Sequence, residues 1–111
     1  MTHQCRITVL RREFYPDLAR AELVNPEVGK CGLFEEGRVF LVDRHNFDSF
    51  AEQHSFCASA WDTVKPFVRK TLRGENPYRV GWSRDPSKLV LCCNDGIRPV
   101  IFKLERLDLE D

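Results

Sequence analysis

Apolar and polar residues alternate from Cys5 to Leu10, with Cys5, Ile7 and Val9 on one face and Arg6 and Thr8 on the other. A period of two belongs to a half-buried strand and turns Cys5 inward. Pro16 suits the first position of a helix and Asp17 its positive end, so a short helix is expected from Pro16 to about Leu23. Asn25 to Gly32, broken by Pro26 and two glycines, reads as a loop that carries Cys31. Gly37 to Asp43 is a continuous apolar run between turn residues, the pattern of a strand covered on both faces. From Asn46 to His54 the pattern is weak and fits either one helical turn or a loop.

The strongest periodicity follows. Cys57, Ala60, Trp61, Val64, Val68 and Leu72 recur at steps of three and four, which makes one apolar stripe on a helix. Arg69, Lys70 and Arg73 suit the negative end of its dipole, and Gly74 is a natural stop. Pro66 inside the stripe removes a backbone bond, so a kink or a break is expected there, with Cys57 in the first turn. Gly74 to Ser87 is a long loop, or a loop holding one short strand around Tyr78, Val80 and Trp82. Two apolar runs then flank Asn94-Asp95-Gly96, whose tolerance of positive φ predicts a tight hairpin with a second arm from Val100 to about Leu107. The acidic end from Asp108 to Asp111 reads as frayed. These elements add up to an α+β fold: a mainly antiparallel sheet with a C-terminal hairpin, one long helix packed across it and a short N-terminal helix.

At 111 residues the chain fits one domain, 1–111. Lys plus Arg equals Asp plus Glu at 17 each, so no net field steers it to nucleic acid or to an anionic membrane. No apolar run approaches a membrane span, and the polar start is no signal peptide. A cytoplasmic location follows as the expectation, and there the five cysteines, Cys5, Cys31, Cys57, Cys92 and Cys93, are not expected to be structural disulfides. The oligomeric state stays open, a homodimer included.

Four stretches carry a resemblance: Cys5-x-Ile-x-Val9; Asn25-Pro-Glu-Val-Gly-x-Cys31 with Leu33-Phe34-Glu35-Glu36-Gly37; Phe56-Cys57-x-x-Ala60-Trp61; and Cys92-Cys93-x-Asp95-Gly96-Ile97-Arg98-Pro99-Val100-x-Phe102-Lys103. Over nearly its whole length the chain resembles a family of small proteins of uncharacterised function found in anaerobic bacteria and some fungi. The resemblance implies that all five cysteines, Asp95 and Arg98 occupy motif positions. It implies no reaction, and it lapses between Asp43 and Ser55, where His45 and His54 match nothing in the pattern.

Each candidate residue has a functional and a plain reading. A thiolate at a helix N-terminus is favoured by unpaired N–H groups and the dipole, which makes Cys57 a candidate nucleophile; otherwise it is the first apolar residue of the stripe. His54 is in reach as a base only if the segment between the two is helical. Cys92 and Cys93 face apart in a regular strand, with Cys93 beside Leu89 and Leu91, so at most one joins a site unless a bulge intervenes. Arg98 can grip a carboxylate or phosphate in bidentate fashion, or else stand in solvent or brace the turn. Asp95 is a general acid/base if buried and a turn former otherwise. Trp61, Trp82, Tyr78, Phe56 and Phe67 are candidates for an aromatic wall, although Trp61 on the stripe also suits the core. Lys65, Arg69, Lys70 and Arg73 read as the wet face of the helix, without the interleaved aromatics that would stack on bases.

Three functions compete. The first is a small cofactor-free enzyme of isomerase, lyase or cyclase type acting on an anionic or carbonyl-bearing small molecule. It uses Cys57 and Asp95 as catalytic residues, with Arg98, Trp61 and Cys93 binding the substrate. The second is a protein that binds zinc or iron through Cys5, Cys31, Cys57 and Cys92; no Cys-x-x-Cys spacing supports it. The third is a binding module with buried cysteines. The concentration of reactive residue types at Cys57 and around the hairpin favours the first.

Overall fold

The computed structural model describes residues 1–110 and has the α+β architecture that the pattern predicts. Strands β1 (Thr2–Arg12), β2 (Val39–Val42), β3 (Lys88–Cys92) and β4 (Val100–Leu109) form one antiparallel sheet in the order β2-β1-β4-β3. Helices α1 (Pro16–Glu22), α2 (Phe50–Gln53) and α3 (Ala58–Leu72) complete it, with a single 3₁₀ turn at Phe47–Ser49 before α2. The weak segment between Asn46 and His54 is therefore helical, in two short pieces.

Alternation in β1 puts Cys5, Ile7 and Val9 on the inner face, where α3 crosses β1, β4 and β3. Buried side chains from the sheet, α3, α2 and the loop residue Phe34 form one cluster. The α3 stripe buries Ala60, Trp61, Val64 and Val68, as its spacing requires. The helix is not broken at Pro66, because the ring projects on the exposed side and its neighbours on the buried side stay packed. Gly74 ends α3 at φ 81°, and a Cβ there would run into the His3 imidazole.

Several expectations are revised. β2 is not covered on both faces: it is an edge strand, and Val39 and Leu41 point to solvent while Phe40 and Val42 enter the core. Of the two readings of the segment from Gly74 to Ser87, the long loop without a strand is the one that forms. The C-terminus does not fray at Asp108, which belongs to β4 and accepts from His3 Nδ1 at 2.8 Å and Arg106 Nε at 2.9 Å. Asp111 lies outside the described residues. The connection between β3 and β4 is a wide loop, residues 93–99, rather than a tight turn. The physical cause is a competing partner: Pro99 and Ile97 direct their carbonyls to the N–H groups of Glu13 and Tyr15, at 2.9 and 3.0 Å. The chain ahead of β4 thus pairs with the continuation of β1 instead of folding straight back onto β3.

On the open face of the sheet, Arg6 donates to both carboxylate oxygens of Glu105, at 3.2 and 3.1 Å, with Lys88 at 3.7 Å. The Arg6 hydrogen bonds hold the Glu105 carboxyl below the usual carboxylate range. No helix among the described residues is long and apolar enough to cross a membrane.

Candidate functional site

The wide β3–β4 loop, the loop carrying Cys31 and the N-terminus of α3 meet at one recess of about 200 Å³. Cys31, Cys57 and Cys93 line it together with Asp95 and Arg98. Leu33, Phe34 and Ala60 supply an apolar wall. Five of the reactive side chains singled out from sequence are thus brought to one place from segments up to sixty-seven positions apart (98 minus 31).

Cys57 is the N-cap of α3 rather than a residue of its first turn, with φ −53°, ψ 126°. Its carbonyl accepts the first helical bond, from the Trp61 N–H at 2.9 Å, and its side chain makes no capping bond. The N–H groups at the start of α3 have no helical acceptors, and Cys57 stands at this positive end of a 15-residue helix. His54 is no base for this thiol through a helical i, i+3 relation. α2 ends at Gln53, Ser55 adopts φ 50°, and the His54 ring stacks on Phe50 at 4.6 Å. His45 is exposed and its N–H donates to Asp43 Oδ1.

Cys93 follows the end of β3 on the face of Leu89 and Leu91, half-buried, whereas Cys92 is exposed. Alternation separates the two thiols as expected, and only Cys93 reaches the recess. The Cys93 N–H donates to the Val100 carbonyl at 3.1 Å, and the Val100 N–H returns the bond to the Cys93 sulfur at 3.4 Å. The sulfur here occupies the acceptor position that a carbonyl fills in a regular antiparallel pair.

Arg98 acts through the wall. Its Nε donates to the Gly29 carbonyl and its Nη2 to the Lys30 carbonyl, both at 2.9 Å, and Arg12 Nη1 holds the Cys31 carbonyl at the same distance. Two guanidinium groups thus pin three successive carbonyls of a loop without regular structure. Asp95 is exposed, and its Oδ1 accepts from the Ile97 and Arg98 backbone N–H groups at 2.9 Å each, the side-chain-to-backbone bonding of an Asx turn. Arg98 and Asp95 also border a second, more open hollow of about 290 Å³ beside Leu23 and Val28. Arg98→Ala is expected to cost about 1–2 kcal/mol in urea unfolding, from two charge-assisted bonds that are partly solvent-exposed. Unchanged stability would contradict its role as a brace.

Trp61 does not line the recess. It is 6% exposed and packs against Phe50 at 5.0 Å, Phe47 at 5.7 Å and Phe56 at 5.9 Å between ring centroids. Trp82 is 66% exposed, so the aromatic residues named from sequence build no common wall. Lys65 and Arg69 lie over the Phe47 ring, at 5.7 and 5.4 Å. Among the described residues, no group of three or more His, Cys, Asp or Glu side chains is placed to hold a metal ion. The set Cys5, Cys31, Cys57 and Cys92 is not gathered: Cys5 is fully buried under α3, and Cys92 stands on the open face of the sheet. Burial pushes the Cys5 thiol up to about 12, partly offset by hydrogen bonding from Thr71, so this thiol stays protonated.

Phe34 is the site residue that sequence periodicity misses. A single aromatic in a loop has no repeat to betray it, although its ring is buried against Phe56 and Phe102. In comparisons with family models, curated proteins and solved structures, nothing matches this chain.

Proposed function

We propose that the chain is a small cofactor-free enzyme that binds an anionic or carbonyl-bearing small molecule in the recess and acts on it through the Cys57 thiol. The observation that carries this reading is the convergence of Cys31, Cys57 and Cys93 with Asp95 and Arg98 on one recess. A volume of about 200 Å³ equals that of about seven liquid waters at about 30 Å³ each, which suits a small molecule rather than a polymer. Cys57 either adds to a carbonyl carbon or takes a proton from the carbon beside it, and neither step calls for an oxidant. Cys57 stands at the N-terminus of α3, whose first-turn N–H groups favour negative charge developing beside them. Arg98 and Asp95 are positioning residues here: one pins the loop of Cys31, the other sets the bend that presents Cys93. Five unpaired cysteines suit a reducing, cytoplasmic setting.

Iodoacetamide at pH 6.5, with the modified peptides quantified by mass spectrometry, tests the reading. Cys57 is expected to react about tenfold faster than any other thiol. Equal rates at Cys57 and Cys92, or no reaction at Cys57, would remove it from the chemistry.

A further inference from the structure

We propose that Cys57 and Cys93 are a redox pair that exchanges with small aliphatic disulfides entering the recess. This rests on Cys57 being the reacting thiol, as proposed above, but not on carbonyl chemistry. Three observations support the pair. Both thiols line the same recess, and neither lies inside a helix or strand, Cys57 capping α3 and Cys93 following β3. Their surroundings differ: Cys57 is the N-cap residue of the 15-residue α3, and the Cys93 sulfur accepts the Val100 N–H at 3.4 Å. The third thiol, Cys31, sits on a segment whose carbonyls are pinned by Arg12 and Arg98, which restrains its backbone.

The exchange balances without a cofactor. The Cys57 thiolate attacks one sulfur of the small disulfide; that S–S bond breaks, and its electron pair leaves with the departing thiolate, which takes a proton from water. Cys93, having released its proton to solvent, attacks the Cys57 sulfur of the mixed disulfide and expels the second small thiolate, which is protonated in turn. Two protein thiols lose two electrons and two protons, and the small disulfide gains them.

The test uses the full chain and hydroxyethyl disulfide, followed by acid quench, alkylation and peptide mapping. The expected product is a Cys57–Cys93 disulfide, with Cys31 and Cys92 still open to alkylation. Cys93→Ser should stop at a mixed disulfide on Cys57, and Cys57→Ser should consume the reagent about tenfold more slowly. A bond to Cys31, a mixed disulfide that persists in the unaltered protein, or an internal disulfide in Cys93→Ser would overturn the pair; mapping the unaltered protein decides even if a variant fails to fold. Fast iodoacetamide labelling of Cys57 without a bond to Cys93 would end the redox inference alone, and slow labelling would end both readings.

Discussion

Phe34→Ala is expected to lower the unfolding free energy by about 3–5 kcal/mol, the usual cost of removing a buried phenyl ring. Phe34 is 5% exposed, although it comes from a stretch with no helix or strand of its own. Its ring meets Phe56 at 4.9 Å, Phe102 at 5.1 Å and Phe40 at 6.4 Å between centroids, all edge-to-face, the arrangement that aromatic quadrupoles favour. The same ring walls the recess. Its loss therefore removes apolar anchorage for the Cys31 loop, leaves a void against the sheet and opens the thiol site together. Urea unfolding of the variant measures the first effect; a loss under about 1 kcal/mol would mean that the loop is held by Arg12 and Arg98 alone.

Alkaline pH is expected to destabilise the protein through Cys5. Its thiol rises from an ordinary value of 9.0 to about 12 in the folded state, with burial as the leading cause. The folded state thus retains a proton that the unfolded state gives up between those values. By linkage, the contribution is fully present below pH 9 and is lost progressively as pH rises toward 12. Three pH units correspond to about 4 kcal/mol at most, at about 1.4 kcal/mol per unit. Other groups titrate in the same window, so the quantity to measure is the stability of the unaltered protein minus that of Cys5→Ala, by urea unfolding from pH 8.5 to 11. The difference should shrink as pH rises. A constant difference would mean that the folded thiol ionises as readily as the unfolded one.

Legibility followed the physics of each element. β1 and α3 were readable because one face of each is buried continuously, so alternation at Cys5, Ile7 and Val9 and the stripe through Trp61, Val64 and Val68 stand directly in the sequence. The same alternation separated Cys92 from Cys93 correctly. β2 misled because Val39 and Leu41, apolar yet exposed at an edge, imitate a fully buried strand. The loop from Cys93 to Pro99 misled because local turn propensity at Asn94-Asp95-Gly96 carries no information about distant partners, here Glu13 and Tyr15. At the site, residue types flagged Cys57, Cys93, Asp95 and Arg98, and their gathering followed. Their roles were not legible, since Arg98 spends hydrogen bonds on Gly29 and Lys30 sixty-eight or more positions away. Trp61 sits at helical spacing that serves the core and a pocket equally, and only packing decides for the core.

The recess is most directly tested by the size dependence of thiol labelling at pH 6.5. Iodoacetamide and a dye-bearing maleimide would each be applied to the native protein, and the adducts mapped on all five cysteines. The small reagent should go first to Cys57 and the bulky one to exposed Cys92, with Cys57 spared and Cys5 unmodified by either. If both reagents favour Cys92 and leave Cys57 equally slow, the recess is no site for a small molecule and Cys57 no reacting thiol.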